Sequence, residues 1–273
     1  MAQLKQMKTF AVTRPVGEGL DTAELVREIG WEPFIIHTVE LKPYDRNTLT
    51  RMLHAVFSKA PVDWLVLMSR SGVFLLFDVL RSSGFQIPRS TRMVAVGPKT
   101  LEALHAHGIK GAIMPDNHSS TGVAELLAQE SLQGKKIVLA RSSEADNVLA
   151  ERLEAHGGQV ETVKLYRSSI PSDPKSALEF LGGLREEGRF QAVLFTSAAT
   201  VGNLFRIASA IMPRQELASR LSSLIVGAIG PVTAQKLIAL GVKPIVPAKY
   251  TISEAVRIIT QTYDEMDAPR ILH

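Results

Sequence analysis

The chain contains no cysteine among its 273 residues. This absence rules out disulfides, thiolate catalysis and iron–sulfur ligation, and it fits a reducing compartment. Long hydrophobic runs are also missing: none reaches the roughly 18 residues that a membrane span requires. The first ten residues lack the apolar core and cleavage site of a signal peptide. We therefore expect a cytoplasmic protein that has no membrane partner and draws its chemistry from oxygen, nitrogen and charge.

Other absences narrow the class of ligand. No Gly-x-Gly-x-x-Gly follows a strand and no Walker-type Gly-Lys-Ser/Thr occurs, so nucleotide cofactors lack their usual fingerprints. The net charge is +4, but no basic run is interleaved with aromatic residues, which argues against a nucleic acid partner. His105 and His107 are two apart on a predicted helix, and His118 lies in a polar turn, so we expect surface histidines and no metal site.

What is present is a repeat. Residues 94–100 (VAVGPKT) and 227–233 (GAIGPVT) are the same strand-turn-helix phrase, and an apolar strand ending in serine precedes each. The two serines, Ser69 and Ser197, lie 128 residues apart, and the glycines of the two phrases lie 133 residues apart. Two copies of one α/β unit are therefore predicted, which agrees with a length that suits two ordinary domains.

The order of the units predicts a discontinuous domain. The first strand and helix, residues 9–30, match residues 136–158 near the end of the middle block, whereas the last block lacks that unit. Because strands alternate with helices, both domains should be parallel-sheet, flavodoxin-like α/β folds. Further strands are expected around Met114 and Val246. The predicted division is residues 1–36 with 172–273 for the discontinuous domain, 45–165 for the inserted domain, and 37–44 and 166–171 for a two-stranded linker.

Ligands of open parallel sheets bind beyond the carboxyl ends of the strands. The residues at those ends are hydroxyls, glycines and cations, and helix starts beside them would favour carboxylates or phosphates. Helix N-caps and plain strand-to-helix turns are the simpler interpretation of each residue taken alone. The candidate binding residues are Arg14, Ser69, Arg70, Gly97, Lys99, Arg141, Ser142, Ser197 and Gly230.

Tyr166 begins the second predicted linker, with Lys164 and Arg167 close by. A phenol at this place could simply pack the linker. It could instead donate a proton to a leaving hydroxyl.

The permuted repeat resembles the uroporphyrinogen-III synthase family. The resemblance rests on 12–15 (VTRP), Ser69, 195–197 (FTS), 228–234 (AIGPVTA) and Tyr166, and it spans nearly the whole chain. It implies closure of hydroxymethylbilane to uroporphyrinogen III, with loss of water and inversion of ring D through a spiro intermediate, and with no cofactor or metal. It also implies two α/β domains that bind the substrate in the cleft between them.

The resemblance assigns residues as well. Tyr166 matches a tyrosine that assists departure of the hydroxyl, and Thr233 matches a cleft threonine; these are the two candidate catalytic residues. The family often has Thr-Thr after Gly-Pro, whereas Val232 stands first here. A monomer with transient contact to the upstream bilane-producing enzyme is expected. The alternative left open is a non-catalytic polyanion-binding or regulatory paralogue with the same fold.

Overall fold

The computed structural model of the chain describes residues 7–267. Its strands are β1 Thr9–Pro15, β2 Glu32–Pro43, β3 Trp64–Leu67, β4 Arg92–Ala95, β5 Lys136–Ser142, β6 Gln159–Ser169, β7 Ala192–Phe195 and β8 Ile225–Ala228. Its helices are α1 Leu20–Glu28, α2 Arg46–Lys59, α3 Arg70–Ser83, α4 Pro98–Ala106, α5 Ser120–Ala128, α6 Val148–Ala155, α7 Lys175–Gly183, α8 Ala198–Ala208, α9 Arg214–Ser222, α10 Pro231–Ile238 and α11 Ile252–Asp267. Strands and helices alternate throughout, as the sequence predicts.

The chain divides into two compact units. The inserted unit comprises residues 42–168, and the discontinuous unit comprises 1–41 with 169–273. The segments predicted as linkers continue β2 and β6 in the structure, up to Pro43 and Ser169.

The inserted unit contains a four-stranded parallel sheet in the order β4-β3-β5-β6. The central strand β3, Trp64–Leu67, is buried along its whole length, which explains its unbroken apolar sequence. Trp64 and Val66 pack with residues of β4, β5, α5 and α6 in one hydrophobic cluster.

The discontinuous unit repeats this arrangement with the order β8-β7-β1-β2, again all parallel. Phe10 and Val12 of β1 belong to one cluster with α11, while Ala11 belongs to a second cluster with α7, α8 and α9. Successive side chains of a strand point to opposite faces, so helices cover both faces of this sheet. The parallel α/β fold class predicted from the sequence is confirmed.

The strands expected around Met114 and Val246 are wrong as full strands. Each is reduced to a single parallel bridge, Val94 to Ile113 in the inserted unit and Gly227 to Ile245 in the discontinuous unit. Prolines follow at once, Pro115 and Pro247, and proline cannot donate to a continuing ladder. No helix within residues 7–267 combines the length and apolar character that crossing a bilayer would need.

Candidate active site

Parallel pairing brings the carboxyl ends of neighbouring strands to one edge of each sheet. We call these edges the inserted rim, formed by the ends of β3 to β6, and the discontinuous rim, formed by the ends of β1, β2, β7 and β8.

The inserted rim joins two predicted site residues that are far apart in sequence. Ser69 is the N-cap of α3, and its Oγ accepts a hydrogen bond from the amide of Gly72 at 2.9 Å. The same Oγ lies 2.9 Å from the phenol oxygen of Tyr166. The Tyr166 residue is only 7% exposed, because it packs beside Gly72. The phenol is therefore held in place by a hydroxyl that is itself fixed at a helix start.

The loop after β5 is organised by Glu144, which the sequence analysis did not single out. Its carboxylate accepts hydrogen bonds from the Oγ of Ser142 at 2.7 Å, the Oγ of Ser143 at 2.9 Å and the amide of Ser168 at 2.7 Å. Burial raises the pKa of the Glu144 carboxyl, but these hydrogen bonds outweigh burial and hold the pKa below its ordinary value. The run Ser-Ser-Glu directly after a strand was the signal for it.

Arg141 is turned into the protein. It is buried, and its guanidinium donates to the carbonyl of Asp146 at 2.6 Å and to Asn147 Oδ1 at 3.5 Å. Burial lowers the pKa of the guanidinium, and the Asp146 carboxylate offsets part of that shift. Its first task in the structure is thus to hold the 142–147 loop.

Both Gly-Pro phrases begin helices. Gly97 and Gly230 are N-caps with extended backbones, and proline occupies the first helical position of α4 and α10. Proline has no N–H, so nothing is lost at a place where the amide would lack a helical partner. The amides of the first turn face outward, with the positive end of the helix dipole behind them.

The side chains after these glycines differ in exposure. Thr233, the predicted cleft threonine, is 4% exposed, whereas Val232 is 72% exposed. The same positions in the inserted unit hold the exposed Lys99 and the buried Thr100. The structure thus turns the second residue of the helix outward and the threonine inward in both units.

The discontinuous rim is built from hydroxyls that bond to one another. Ser197 is the N-cap of α8 and forms a capping box with Thr200, accepting from its amide at 3.2 Å. Thr13 is fully buried; its hydroxyl donates to Thr200 Oγ1 at 3.0 Å and accepts from the Thr196 amide at 3.0 Å. Sequence reasoning missed Thr13, although a threonine inside an apolar strand was the available signal. The network fixes the end of β1 against the end of β7.

Two predicted cations are engaged locally. Arg14 donates to Glu18 Oε2 at 2.8 Å, an i,i+4 pair. Arg70 is exposed, and its guanidinium lies 5.5 Å from the ring centre of Phe74. The Arg14 side chain is thus mostly buried and its charge is paired with Glu18, whereas the Arg70 side chain is exposed.

The expectation of surface histidines is wrong for His107. Its ring stacks on Phe77 with centroids 4.3 Å apart, and its Nε2 is buried with no hydrogen-bond partner among the described residues. Burial lowers the pKa of His107, and the charge of Arg81 adds to that. No group of three potential metal ligands occurs in the part of the chain that the structure describes.

The chain is similar to known proteins along most of its length. A family model described as "Uroporphyrinogen-III synthase HemD" matches residues 21–257. The chain is 32% identical over 257 residues to a putative uroporphyrinogen-III synthase of Methanothermobacter thermautotrophicus, covering 94% of this chain and 99% of the relative. It is 24% identical to a uroporphyrinogen-III synthase of Chlorobaculum parvum, covering 87% of this chain and 91% of the relative.

Solved structures agree on the fold. A mutant uroporphyrinogen III synthase of Thermus thermophilus aligns with a TM-score of 0.63 at 20% identity, covering 94% of this chain and 99% of the other. Uroporphyrinogen-III synthetase of Helicobacter pylori aligns with a TM-score of 0.56 at 14% identity, covering 94% of this chain and all of the other. The two-unit α/β architecture is thus shared with both.

Proposed function

The chain belongs to the uroporphyrinogen-III synthase family, and we propose that it closes hydroxymethylbilane to uroporphyrinogen III at its two rims. This is the activity of a cyclising lyase of porphyrin and heme biosynthesis. The family match and the relatives named as this synthase support it over the non-catalytic paralogue, because both matches cover most of the two units.

The substrate's charge fits the rims. The bilane carries carboxylate side chains on every pyrrole, and helix starts, hydroxyl groups and cations all bind carboxylates well. The residues that we assign to substrate binding are Arg14, Ser69, Arg70, Gly97, Lys99, Arg141, Ser142, Ser197 and Gly230. Because Arg141 is buried, we assign it an indirect part through the loop that it holds.

The bond between Tyr166 and Ser69 is the observation that carries the mechanism. The terminal C–O bond breaks as the hydroxyl takes a proton and leaves as water, and the pyrrole nitrogen supplies electrons to form an azafulvene. The Tyr166 phenol is our candidate for that proton donor. Ser69 positions it, and its own hydroxyl is held by the Gly72 amide.

The remaining steps depend on positioning. The substituted carbon of ring D attacks the azafulvene methylene and forms a spiro intermediate, whose rearrangement inverts the ring. An enzyme favours this route over direct closure by holding the reacting carbons in the right geometry. We assign that positioning to the carboxylate contacts at the helix starts. Since Thr233 is buried, its place here is to shape the first turn of α10.

Product analysis tests the proposal. Freshly generated hydroxymethylbilane is supplied to the purified chain, with an enzyme-free control, and the isomers are separated by chromatography. We expect the type III isomer to predominate. The spontaneous type I isomer alone, from folded protein, would move the chain to the polyanion-binding alternative.

The proposal also covers the setting of the enzyme. We propose a cytoplasmic monomer that receives its unstable substrate by transient contact with the upstream bilane-producing enzyme. The domain division that we propose remains 1–36 with 172–273, 45–165, and linkers 37–44 and 166–171. Mixing the two enzymes should raise the share of type III isomer, and unchanged isomer ratios with no detectable association would contradict the handover.

A further inference from the structure

A cavity of about 800 Å³ opens in the inserted unit, away from the inserted rim. It lies between the C-terminal parts of α3 and α4 and the amino end of β4, under residues 84–91. The amino end of a parallel strand is at the opposite edge of the sheet from its carboxyl end. The cavity is therefore a separate site, and its occupant does not depend on the proposed function.

The lining combines one sign of charge with apolar surface. The cavity walls, all within the described residues, contain the cations Arg81, Arg89, Arg92 and Lys110 and no carboxylate. Apolar side chains, among them that of Ile109, form much of the remaining surface. A concave surface of one sign focuses its field and concentrates the opposite ion.

Among the described residues, three of the four cations have no salt-bridge partner. Arg92 pairs with Glu130 at 2.6 Å, whereas Arg81, Arg89 and Lys110 form none within residues 7–267. Arg81 is in the last turn of α3, where the helix dipole alone accounts for a cation. Arg89 and Lys110 lie outside the helices, so the dipole does not explain them.

His107 also lines the cavity, and one of its ring nitrogens is unsatisfied beneath the surface. Its Nε2 is buried and has no partner among the described residues, although buried polar groups are normally hydrogen-bonded. The discontinuous unit has Leu240 at the equivalent position, ten residues after its Gly-Pro glycine. An imidazole thus stands where the repeat otherwise has an apolar side chain.

The discontinuous unit only partly fills the equivalent space, where Leu240, Gly241 and α9 line a smaller cavity of about 520 Å³. Between α8 and β8 it carries the extra helix α9, whose Leu217 and Leu221 are fully buried in the core cluster. A Cβ built on Gly241 would lie 3.8 Å from the Cβ of Ala218 on α9, whereas one on the equivalent Gly108 would meet nothing within 4 Å. The same fold therefore places a helix beside this position in one copy and only the 84–91 loop in the other, where the cavity is larger.

We propose that this cavity binds an organic anion with a flat apolar body, such as an aromatic carboxylate or sulfonate. Its acidic group lies among Arg81, Arg89 and Lys110, and its body rests on the apolar wall that α9 covers in the other unit.

Titration with 8-anilino-1-naphthalenesulfonate, whose fluorescence rises in apolar surroundings, tests the site on the full chain. We expect saturable binding of one molecule per chain. The double variant Arg89→Glu/Lys110→Glu should raise Kd about tenfold or more, because bonds to charged groups are lost. Both residues are exposed, so the variant should keep its circular dichroism spectrum.

The matched control is Lys243→Glu, since Lys243 is the counterpart of Lys110 in the other unit and does not line the smaller cavity there. It should leave Kd unchanged. Inorganic phosphate in moderate excess should not displace the probe, because it lacks the apolar body. Absence of saturable binding, an equal effect of Lys243→Glu, or ready displacement by phosphate would each overturn the proposal.

Discussion

The two units share one fold, but they carry different side chains and helices at matching positions. β1 and β5 both break register with their neighbour at the same point, so that Pro15 pairs with Val39 and Ser142 pairs with Tyr166. The carbonyls of Val39 and Tyr166 even accept equivalent hydrogen bonds, from Val16 at 2.8 Å and from Ser143 at 2.9 Å. The backbone is thus matched, while a buried valine in one unit corresponds to a phenol in the other.

A second difference lies at the opposite edge of the sheets. The discontinuous unit inserts α9 between α8 and β8, and the inserted unit has only the 84–91 loop at that place. In the discontinuous unit, α9 therefore adds to the hydrophobic core, whereas the inserted unit has the larger cavity at that place. The proposed proton donor, Tyr166, and the cavity both belong to the inserted unit.

Shortening a buried side chain of α9 should have the largest effect on stability. Leu217 is fully buried, so Leu217→Ala should lower the free energy of unfolding by about 3 kcal/mol. Ile87→Ala, in the loop at the equivalent place, should cost less than about 1 kcal/mol, because Ile87 is only partly buried. Urea denaturation measures both values, and similar losses would mean that the two places are equally packed.

Removing the phenol should have the next largest effect, on turnover. Tyr166→Phe keeps the packing beside Gly72 but loses the proton, so kcat should fall on the order of 10² with little change in stability. Tyr263→Phe is the control, since Tyr263 lies on α11 and packs against Trp31. Steady-state rates with hydroxymethylbilane give kcat for both variants. An unchanged kcat in Tyr166→Phe would contradict the proton-donor role.

The equivalent caps should separate structure from chemistry. Ser69→Ala and Ser197→Ala each remove an N-cap and should each lower the free energy of unfolding by about 1 kcal/mol. Only Ser69 contacts Tyr166, so only its variant should lower kcat strongly, while Ser197→Ala should act on KM. Equal kcat losses would show that the two rims contribute alike to the chemical step.

Local sequence signals predicted much of the fold that the two units share. The apolar runs, the serine at each strand end and the proline after each glycine are short-range features, and the parallel strands, caps and helix starts follow from them. The permuted order of the units was also readable, because it depends only on which phrase follows which.

Long-range geometry accounts for what sequence reasoning missed. Ser69 and Tyr166 are 97 residues apart, and the contact depends on a register shift between β5 and β6 that no local pattern encodes. Glu144 gains its role from Ser168 on a different strand. The cavity is lined by residues of α3, β4 and two loops that are up to 34 residues apart, so no local pattern predicts it.

His107 makes the stability of the inserted unit depend on pH. Burial and then Arg81 hold its pKa below the ordinary value of 6.5, and Arg89, Arg92 and Lys110 line the same cavity. The unfolded chain therefore binds more protons than the folded chain between the folded pKa and 6.5. With respect to His107, the free energy of unfolding is therefore highest above that window, and it decreases as the pH falls through it.

Replacing the imidazole by its counterpart's side chain should remove this loss. His107→Leu should flatten the decline in unfolding free energy between about pH 8 and about pH 5, because the variant has no imidazole whose pKa is lowered by folding. His105→Leu, an exposed position of the same helix, should leave the profile unchanged. Denaturation at several pH values gives the two profiles. If they coincide with the wild type in both variants, His107 titrates as freely in the folded chain as in the unfolded one, and the cavity does not disfavour its cation.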